Sequence, residues 1–183
     1  MRKTIRGFGL AVLALGLMAM PIAASAADHD AAETAMLANK VRKELVMLPF
    51  YSVFDNFTYQ IDGDKVILSG EVTRPTLKTS AERVVARIEG VNQVENNIEV
   101  LPLSSFDNRI RRGVLYAVYG HPVLNRYALQ STGPIHLIVN NGHVTLEGVV
   151  SREMEKNVAF IQANSVPGVF SVTNNLRVEN PKS

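Results

Sequence analysis

The sequence of 183 residues contains no cysteine and no tryptophan. Without cysteine the chain forms no disulfide, has no thiol nucleophile and offers no N-terminal cysteine for lipid attachment. It also lacks a Gly-x-Ser-x-Gly element, a phosphate-binding loop and the glycine-rich turn of dinucleotide-binding folds. Function has to be argued from a site, and no catalytic constellation is visible. We therefore expect neither an enzyme nor a cofactor.

The chain also lacks an excess of positive or negative charge once its first residues are set aside. The whole chain has 19 Lys and Arg against 17 Asp and Glu, and three of the basic residues fall within residues 1–26. The remaining chain then has 16 basic and 17 acidic residues, a net charge of −1. This balance gives little support for binding to nucleic acid, so we expect no such partner.

The first residues have the composition of an export signal. A basic segment (residues 2–6) precedes an apolar run from Phe8 to Met20, and Ala24-Ser25-Ala26 fits the small-residue pattern that a signal peptidase cleaves. The run is shorter than the about 20 residues that span a membrane, although an uncleaved anchor is the alternative. The pattern predicts a cleavable signal peptide over residues 1–26 and a protein released beyond the membrane without a lipid anchor.

The most informative pattern present is a repeat at an offset of 78 residues. The motif Val-x-Leu-x-Gly-x-Val occurs at residues 66–72 and again at 144–150. The motif Gly-Val-x-x-Val-x-Asn-Asn-(Ile/Leu)-x-Val occurs at residues 90–100 and again at 168–178. A repeat of this length is about the size of a small domain, so the chain consists of two copies of one domain.

Hydrophobic periodicity predicts the same elements in each copy. Apolar residues three to four positions apart predict a helix over residues 37–48, and alternation predicts two antiparallel strands over 57–61 and 66–72. A second helix over residues 73–89 and a third strand over 94–100 follow. The order predicts an α+β fold: two tandem αββαβ two-layer sandwiches, each a three-stranded mixed sheet with two helices on one face. Gly70 and Gly148 lie inside strands, where glycine usually permits close helix or backbone approach.

These elements divide the chain into consecutive segments. The prediction is a signal peptide (1–26), a flexible start (27–36), domain one (37–101), a linker (102–105), domain two (106–179) and a tail (180–183). Domain two has five extra residues between Leu124 and Pro134, and loop insertions of this kind often carry function. The short linker predicts that the two domains pack on one another.

The first helix of domain two and the insertion after it concentrate arginine and tyrosine. Residues 37–101 carry eight basic and nine acidic residues, whereas 106–179 carry seven and five, so the copies have diverged in charge. Arginine beside tyrosine suits an anionic membrane surface, because the guanidinium binds phosphate and the phenol lies at the interface. The alternative is an ordinary solvated face with half-buried tyrosines. The candidate lipid-binding residues are Arg109, Arg111, Arg112, Tyr116, Tyr119, Arg126 and Tyr127.

The second helix of domain two differs from its counterpart in polarity. Phe160 and Ile161 stand where domain one has Glu82 and Arg83. Apolar residues in place of charged ones indicate a covered face. Packing between the two domains is the favoured interpretation, and a partner or client protein is the alternative.

Two histidines, His136 and His143, are the only ones that could meet across a predicted hairpin. A metal site needs three or four ligands with a supporting second shell, and no third ligand accompanies them. A surface pair is the favoured interpretation, and we expect no metal.

The two motifs, each present twice at constant spacing, resemble the BON domain. The resemblance covers Leu37 to Leu101 and Phe106 to Glu179, and paired copies behind an export signal are similar to the osmotically inducible periplasmic proteins of that family. The resemblance implies an αββαβ fold, no enzymatic activity, a periplasmic location, and links to phospholipid binding, envelope integrity and osmotic stress. Some members are thought to have chaperone-like roles.

The same resemblance points to one helix. In a lipid-anchored two-domain relative, the first helix of the second domain carries an anionic-lipid site, and this helix corresponds here to Arg109 to Tyr119. We therefore predict a non-enzymatic periplasmic envelope-stress protein that binds anionic phospholipid peripherally. A protein-binding or chaperone-like module that acts on envelope or client proteins is the alternative.

Overall fold

The computed structural model of the chain describes residues 23–130 and 132–179, with side chains from residue 31 onward. Most of the predicted signal peptide and the predicted tail at 180–183 lie outside the described residues. Among the helices that are described, none combines the length and the apolar composition needed to cross a membrane.

Domain one has a central strand with partners on both sides. Its elements are α1 (Ala23–Val46), β1 (Asn56–Asp62), β2 (Lys65–Val72), α2 (Pro75–Val85), β3 (Gln93–Asn96) and β4 (Glu99–Val100). Strand β2 pairs antiparallel with β1 on one side and parallel with β3 and β4 on the other. Both helices bury their apolar faces against the same face of this sheet, through Val41 and Leu45 of α1 and Leu77 and Ala81 of α2.

Domain two repeats this arrangement. Its elements are α3 (Ser105–Tyr119), a 3-10 helix (Asn125–Leu129), β5 (Ile135–Asn140), β6 (His143–Val150), α4 (Glu153–Asn164), β7 (Ser171–Asn174) and β8 (Arg177–Val178). Strand β6 is central, antiparallel to β5 and parallel to β7 and β8. The predicted α+β fold of two tandem αββαβ sandwiches is confirmed, although each third strand is divided in two.

The division of the third strand has the same cause in both domains. The Asn96 side chain leaves the sheet and donates to the Lys78 carbonyl of α2 at 3.0 Å, while its oxygen accepts from the Ile98 amide at 3.3 Å. Asn174 makes the same two bonds in domain two, at 2.9 and 3.2 Å. This turn brings Ile98, only 1% exposed, into the core. The repeated asparagine therefore ties the sheet to the helix above it.

Two predicted helix boundaries were wrong. Helix α1 already includes Ala23, the first residue that the structure describes, so the segment predicted to be flexible (27–36) is helical. This segment is rich in alanine and lacks glycine and proline, which favours a helix. Its side chains from residue 31 to 36 are exposed, so no periodic burial pattern marks it. Helix α2 ends at Val85 and not at residue 89, because the amides of Arg87 and Ile88 bond to carbonyls three residues back in tight turns.

The glycines inside β2 and β6 are required by their backbone geometry. Gly70 has a φ of 114° and Gly148 a φ of 118°, values that side-chain-bearing residues rarely adopt. A Cβ on Gly70 would overlap the carbonyl oxygen of Asn56, and one on Gly148 would overlap that of Pro134. The predicted close approach of another backbone at these positions is confirmed.

The two domains contact each other through residues 51–55, the bridging segment between α1 and β1. The carbonyl of Val53 accepts from the Leu137 amide of β5 at 2.6 Å, and Val53 and Phe54 pack against the core of domain two. The ring of Tyr51 lies 5.7 Å from that of His136. The predicted packing of the domains is confirmed, and it occupies the free edge of β5 at Leu137.

Candidate functional site

Three of the seven candidate residues form one exposed row on α3. Helix α3 begins where Ser104 accepts a hydrogen bond from the Asp107 amide at 3.1 Å. Arg109, Arg112 and Tyr116 follow at spacings of three and four residues, which places them on one side of a helix. All three are exposed, Tyr116 by 74%. We call these three residues the basic row.

The positive charge of the basic row is not neutralised by its own helix. Asp107 is the acidic residue of α3, and it is fully buried. Its carboxylate accepts from the amides of Asn141 and Gly142 at 3.0 and 2.8 Å and so fixes the turn between β5 and β6. The two exposed arginines therefore remain available to an anionic partner.

Arg111 is internal, which corrects the prediction that it contacts lipid. It is 6% exposed and donates to the Val139 carbonyl of β5 at 2.7 Å and to Asn108 at 2.8 Å. Burial lowers the pKa of its guanidinium, and nearby Asp107 opposes that shift. Its role is to hold α3 on the sheet.

Tyr119 is internal for a similar reason. It is 8% exposed, and its hydroxyl donates to the Ile135 carbonyl at 2.5 Å. Burial raises the pKa of this hydroxyl above its usual range. Tyr119 therefore joins the end of α3 to the start of β5 and is not part of an exposed face, contrary to the prediction.

Arg126 and Tyr127 belong to a network around the buried carboxylate of Glu155. Arg126 pairs with Glu155 at 2.6 Å, and the Tyr127 hydroxyl donates to Glu155 at 2.8 Å. Tyr127 is 8% exposed. The insertion thus folds into the 3-10 helix and docks on the start of α4. Tyr127 is thus corrected to a structural residue, whereas Arg126 stays exposed, with 45% of its side chain accessible, and is paired with Glu155. Their common partner lies too far along the chain for sequence spacing to reveal it.

The predicted partner-face residues on α4 are uncovered. Phe160 is 39% exposed and Ile161 59%, and Met154 on the same helix is 52% exposed. The favoured interpretation, packing between the domains, is wrong, because the bridging segment contacts β5 instead. Since α3 and α4 pack side by side on one face of the sheet, their outward sides share one surface. The helical face is the basic row together with Met154, Phe160 and Ile161.

The two histidines considered for a metal are separated by the register of the hairpin. His136 lies opposite Glu147, whereas His143 lies opposite Asn140 beside the turn. His143 is 2.7 Å from the Ser171 hydroxyl, and burial lowers the pKa of His136. In the described part of the chain, no three His, Asp or Glu side chains cluster as metal ligands would.

An apolar cleft of about 380 Å³ opens beside the basic row. Its walls come from the bridging segment (Val53), from α3 (Leu115 and Tyr116) and from the insertion (Ala128). Sequence reasoning missed the cleft because three separate segments build it. The insertion between Leu124 and Pro134 was the one available signal.

Two αββαβ units in tandem define the class of protein to which the chain belongs. A model of the BON domain matches residues 33–102 and 123–180, so the chain belongs to the BON domain family. The BON domain is a non-catalytic binding domain. The second matched segment begins after α3, so the basic row lies outside it.

The individual similarities are distant. An uncharacterized protein in the gshII 5′ region of Anaplasma centrale is 25% identical over 158 residues, which cover 82% of this chain and 97% of that protein. Two structures of CdsD, a structural protein of the type III secretion system of Chlamydia trachomatis, are 13% identical. One is its C-terminal domain, with 79% of this chain and 98% of that chain covered at a TM-score of 0.30. The other covers 80% and 93% at a TM-score of 0.31. Scores this low carry no argument about function.

Proposed function

We propose that this BON domain protein is a non-enzymatic periplasmic protein of the cell envelope that binds anionic phospholipid membranes peripherally through the helical face of domain two. The observation that carries the proposal is the composition of that face. Two arginines without a neighbouring acid on their helix lie on the same surface as an exposed tyrosine and three large exposed apolar side chains. The export signal predicted at residues 1–26 and the family's links to envelope and osmotic stress support the location.

The two kinds of side chain would act on different parts of the membrane. Each arginine near an anionic surface contributes about 1 kcal/mol, so two arginines alone give a weak association that salt weakens further. Phe160, Ile161 and Met154 would enter the boundary between headgroups and acyl chains, where burial of apolar area adds binding free energy that salt does not screen. Tyr116 suits the interface because its ring is apolar and its hydroxyl is polar.

A protein-binding or chaperone-like function is the second candidate, and one observation favours it. The exposed apolar residues of α4 form a patch that another protein could cover. Binding of an apolar client through this patch should persist as ionic strength rises, whereas the electrostatic part of lipid binding should fade.

Cosedimentation with lipid vesicles tests the proposal. Vesicles of phosphatidylcholine, with or without phosphatidylglycerol, are incubated with the protein at low and at physiological salt. The double variant Arg109→Gln, Arg112→Gln should lose about 2 kcal/mol of binding, or about thirtyfold in affinity. The matched control is Arg83→Gln, Arg87→Gln, which removes two exposed charges from α2 and its C-terminal turn in domain one.

Each outcome decides a different part of the proposal. Binding that requires phosphatidylglycerol and is lost in the domain-two variant but not in the control supports the helical face as the site. Equal losses in both variants would mean that net charge, and not this face, governs binding. If no vesicle is bound at either salt, the membrane function is refuted and the apolar patch of α4 points to a protein client.

A further inference from the structure

The cleft beside the basic row is walled mainly by hydrocarbon. Val53, Leu115 and Ala128 contribute aliphatic carbon, and Tyr119 and Tyr127 also line it. The hydroxyls of both tyrosines are already bonded, at 2.5 Å to the Ile135 carbonyl and at 2.8 Å to Glu155. These rings therefore present carbon, and not free hydroxyls, to a ligand.

Few polar groups remain to recognise a polar ligand. Among the lining residues, the side chains of Gln130 and Tyr116 are polar and exposed. A sugar, nucleotide or peptide bound here would lose water without regaining its hydrogen bonds, which costs free energy for every unpaired group. A hydrocarbon chain has no such groups to satisfy. The volume of about 380 Å³ is large enough for several methylene groups of such a chain. The lining therefore favours an aliphatic ligand.

The basic row places positive charge at the rim of the cleft. Tyr116 belongs to both, since it lines the cleft and is 74% exposed. Arg112 precedes it by one helical turn on the same side, which separates their Cβ atoms by about 5–6 Å. An anionic group bound by Arg112 would thus lie within reach of a chain that enters the cleft. We propose that the cleft holds one acyl chain of an anionic lipid while the basic row binds its headgroup, an inference that rests on the proposed function and extends it.

A series of n-alkyl phosphates with a constant headgroup tests this arrangement. Hexyl, octyl and decyl phosphate are titrated into the protein by calorimetry, each below the concentration at which it forms micelles. Transfer of a chain from water into the cleft should raise the affinity about fourfold for each added methylene, until the cleft is full. An affinity that does not change with chain length would overturn the proposal.

A matched pair of variants tests whether the alkyl chain of the ligand lies in the cleft. Ala128→Trp fills the cleft from an exposed position on its wall, so folding should be retained while the dependence on chain length is lost. Leu129→Trp places the same side chain at the next residue, which is 87% exposed and is not part of the lining, and should keep that dependence. Circular dichroism confirms that both variants are folded. If the affinity of Ala128→Trp still rises with alkyl chain length, the alkyl chain binds elsewhere and the assignment is refuted.

The headgroup variant separates the two proposals. Arg112→Gln should lower the affinity for every alkyl phosphate by a similar factor, because the headgroup is constant. If vesicles bind through the basic row but affinity ignores chain length, the membrane function stands and the cleft proposal fails. If chain length governs affinity while vesicles do not bind, the cleft is supported as a site for free lipid, and the peripheral membrane function fails.

Discussion

Replacement of Glu155 by alanine should destabilise domain two strongly, although the sequence analysis did not select this residue as a candidate. Its carboxylate is 2% exposed and lies at the first turn of α4. It accepts hydrogen bonds from the Tyr127 hydroxyl at 2.8 Å and from the amides of Ser151 and Arg152, both at 3.1 Å. Arg126 adds an ion pair at 2.6 Å.

The magnitude follows from the groups that lose a partner. Loss of a capping side chain costs about 1 kcal/mol. A buried hydroxyl that loses its main acceptor costs about 1–3 kcal/mol, and Tyr127 would keep only the longer bond, of 3.3 Å, to the Ser151 hydroxyl. The two amides belong to exposed residues, so water replaces part of their bonding. We expect Glu155→Ala to lower the free energy of unfolding by about 3 kcal/mol, and Glu155→Gln by about half of that because one acceptor oxygen remains.

Urea unfolding followed by circular dichroism measures this loss. The matched control is Glu153→Ala, which removes an exposed acid from the same first turn and should cost at most about 1 kcal/mol. A loss in Glu155→Ala no larger than that of the control would refute the reasoning. It would mean that the network around Glu155 does not hold the insertion on α4.

Two further predictions concern the backbone and the domain contact. Gly148→Ala should cost about 3 kcal/mol or more in urea unfolding, because the new Cβ would overlap a neighbouring carbonyl oxygen. Gly63 also has a positive φ, of 60°, but a Cβ there would meet open space, so Gly63→Ala should cost only about 1 kcal/mol. Equal losses of stability in the two variants would show that overlap is not the cause. Burial lowers the pKa of His136, so the fold favours the neutral ring, and its contribution should be complete above about pH 6.5 and fall as pH decreases below that value. His136→Phe keeps a ring beside Tyr51 and should lose less stability than wild type between about pH 7.5 and about pH 5.5, whereas equal losses would contradict the assignment. The pKa of Glu71 is raised by burial and by Glu147. Glu71 is present in wild type and in His136→Phe, so its contribution to the pH dependence cancels when the two stability losses are compared.

Local patterns in the sequence predicted the fold well because the relevant forces are local. Alternation along the strands depends on neighbouring positions, and both the alternation and the strand glycine recur at 66–72 and 144–150. The part of α1 before residue 37 was missed because exposed alanines leave no periodic signal. The function of the repeated asparagine was also missed, because its partner carbonyl lies 18 positions away on the preceding helix.

The candidate site was predicted only in part, because burial depends on how a helix faces the sheet. Arg111 lies three residues before Val114 and seven before Val118, both buried, so helical periodicity alone could have placed it near the inward side. Arg126 and Tyr127 gave no such signal, since their partner Glu155 is 29 and 28 positions away. The change from charged to apolar residues at Phe160 and Ile161 correctly indicated an apolar face on α4. It did not reveal whether the other domain covers that face.

The bridging segment has a consequence for modularity. The linker at 102–105 separates the two copies in sequence, yet Val53, from the other side of that linker, pairs with the free edge of β5 at Leu137. A fragment cut at the linker would present this edge as an open template for another strand, the kind of edge that promotes aggregation. The duplicated domains are therefore not interchangeable, because the edge of the second is protected at Leu137 by a segment that belongs to the first.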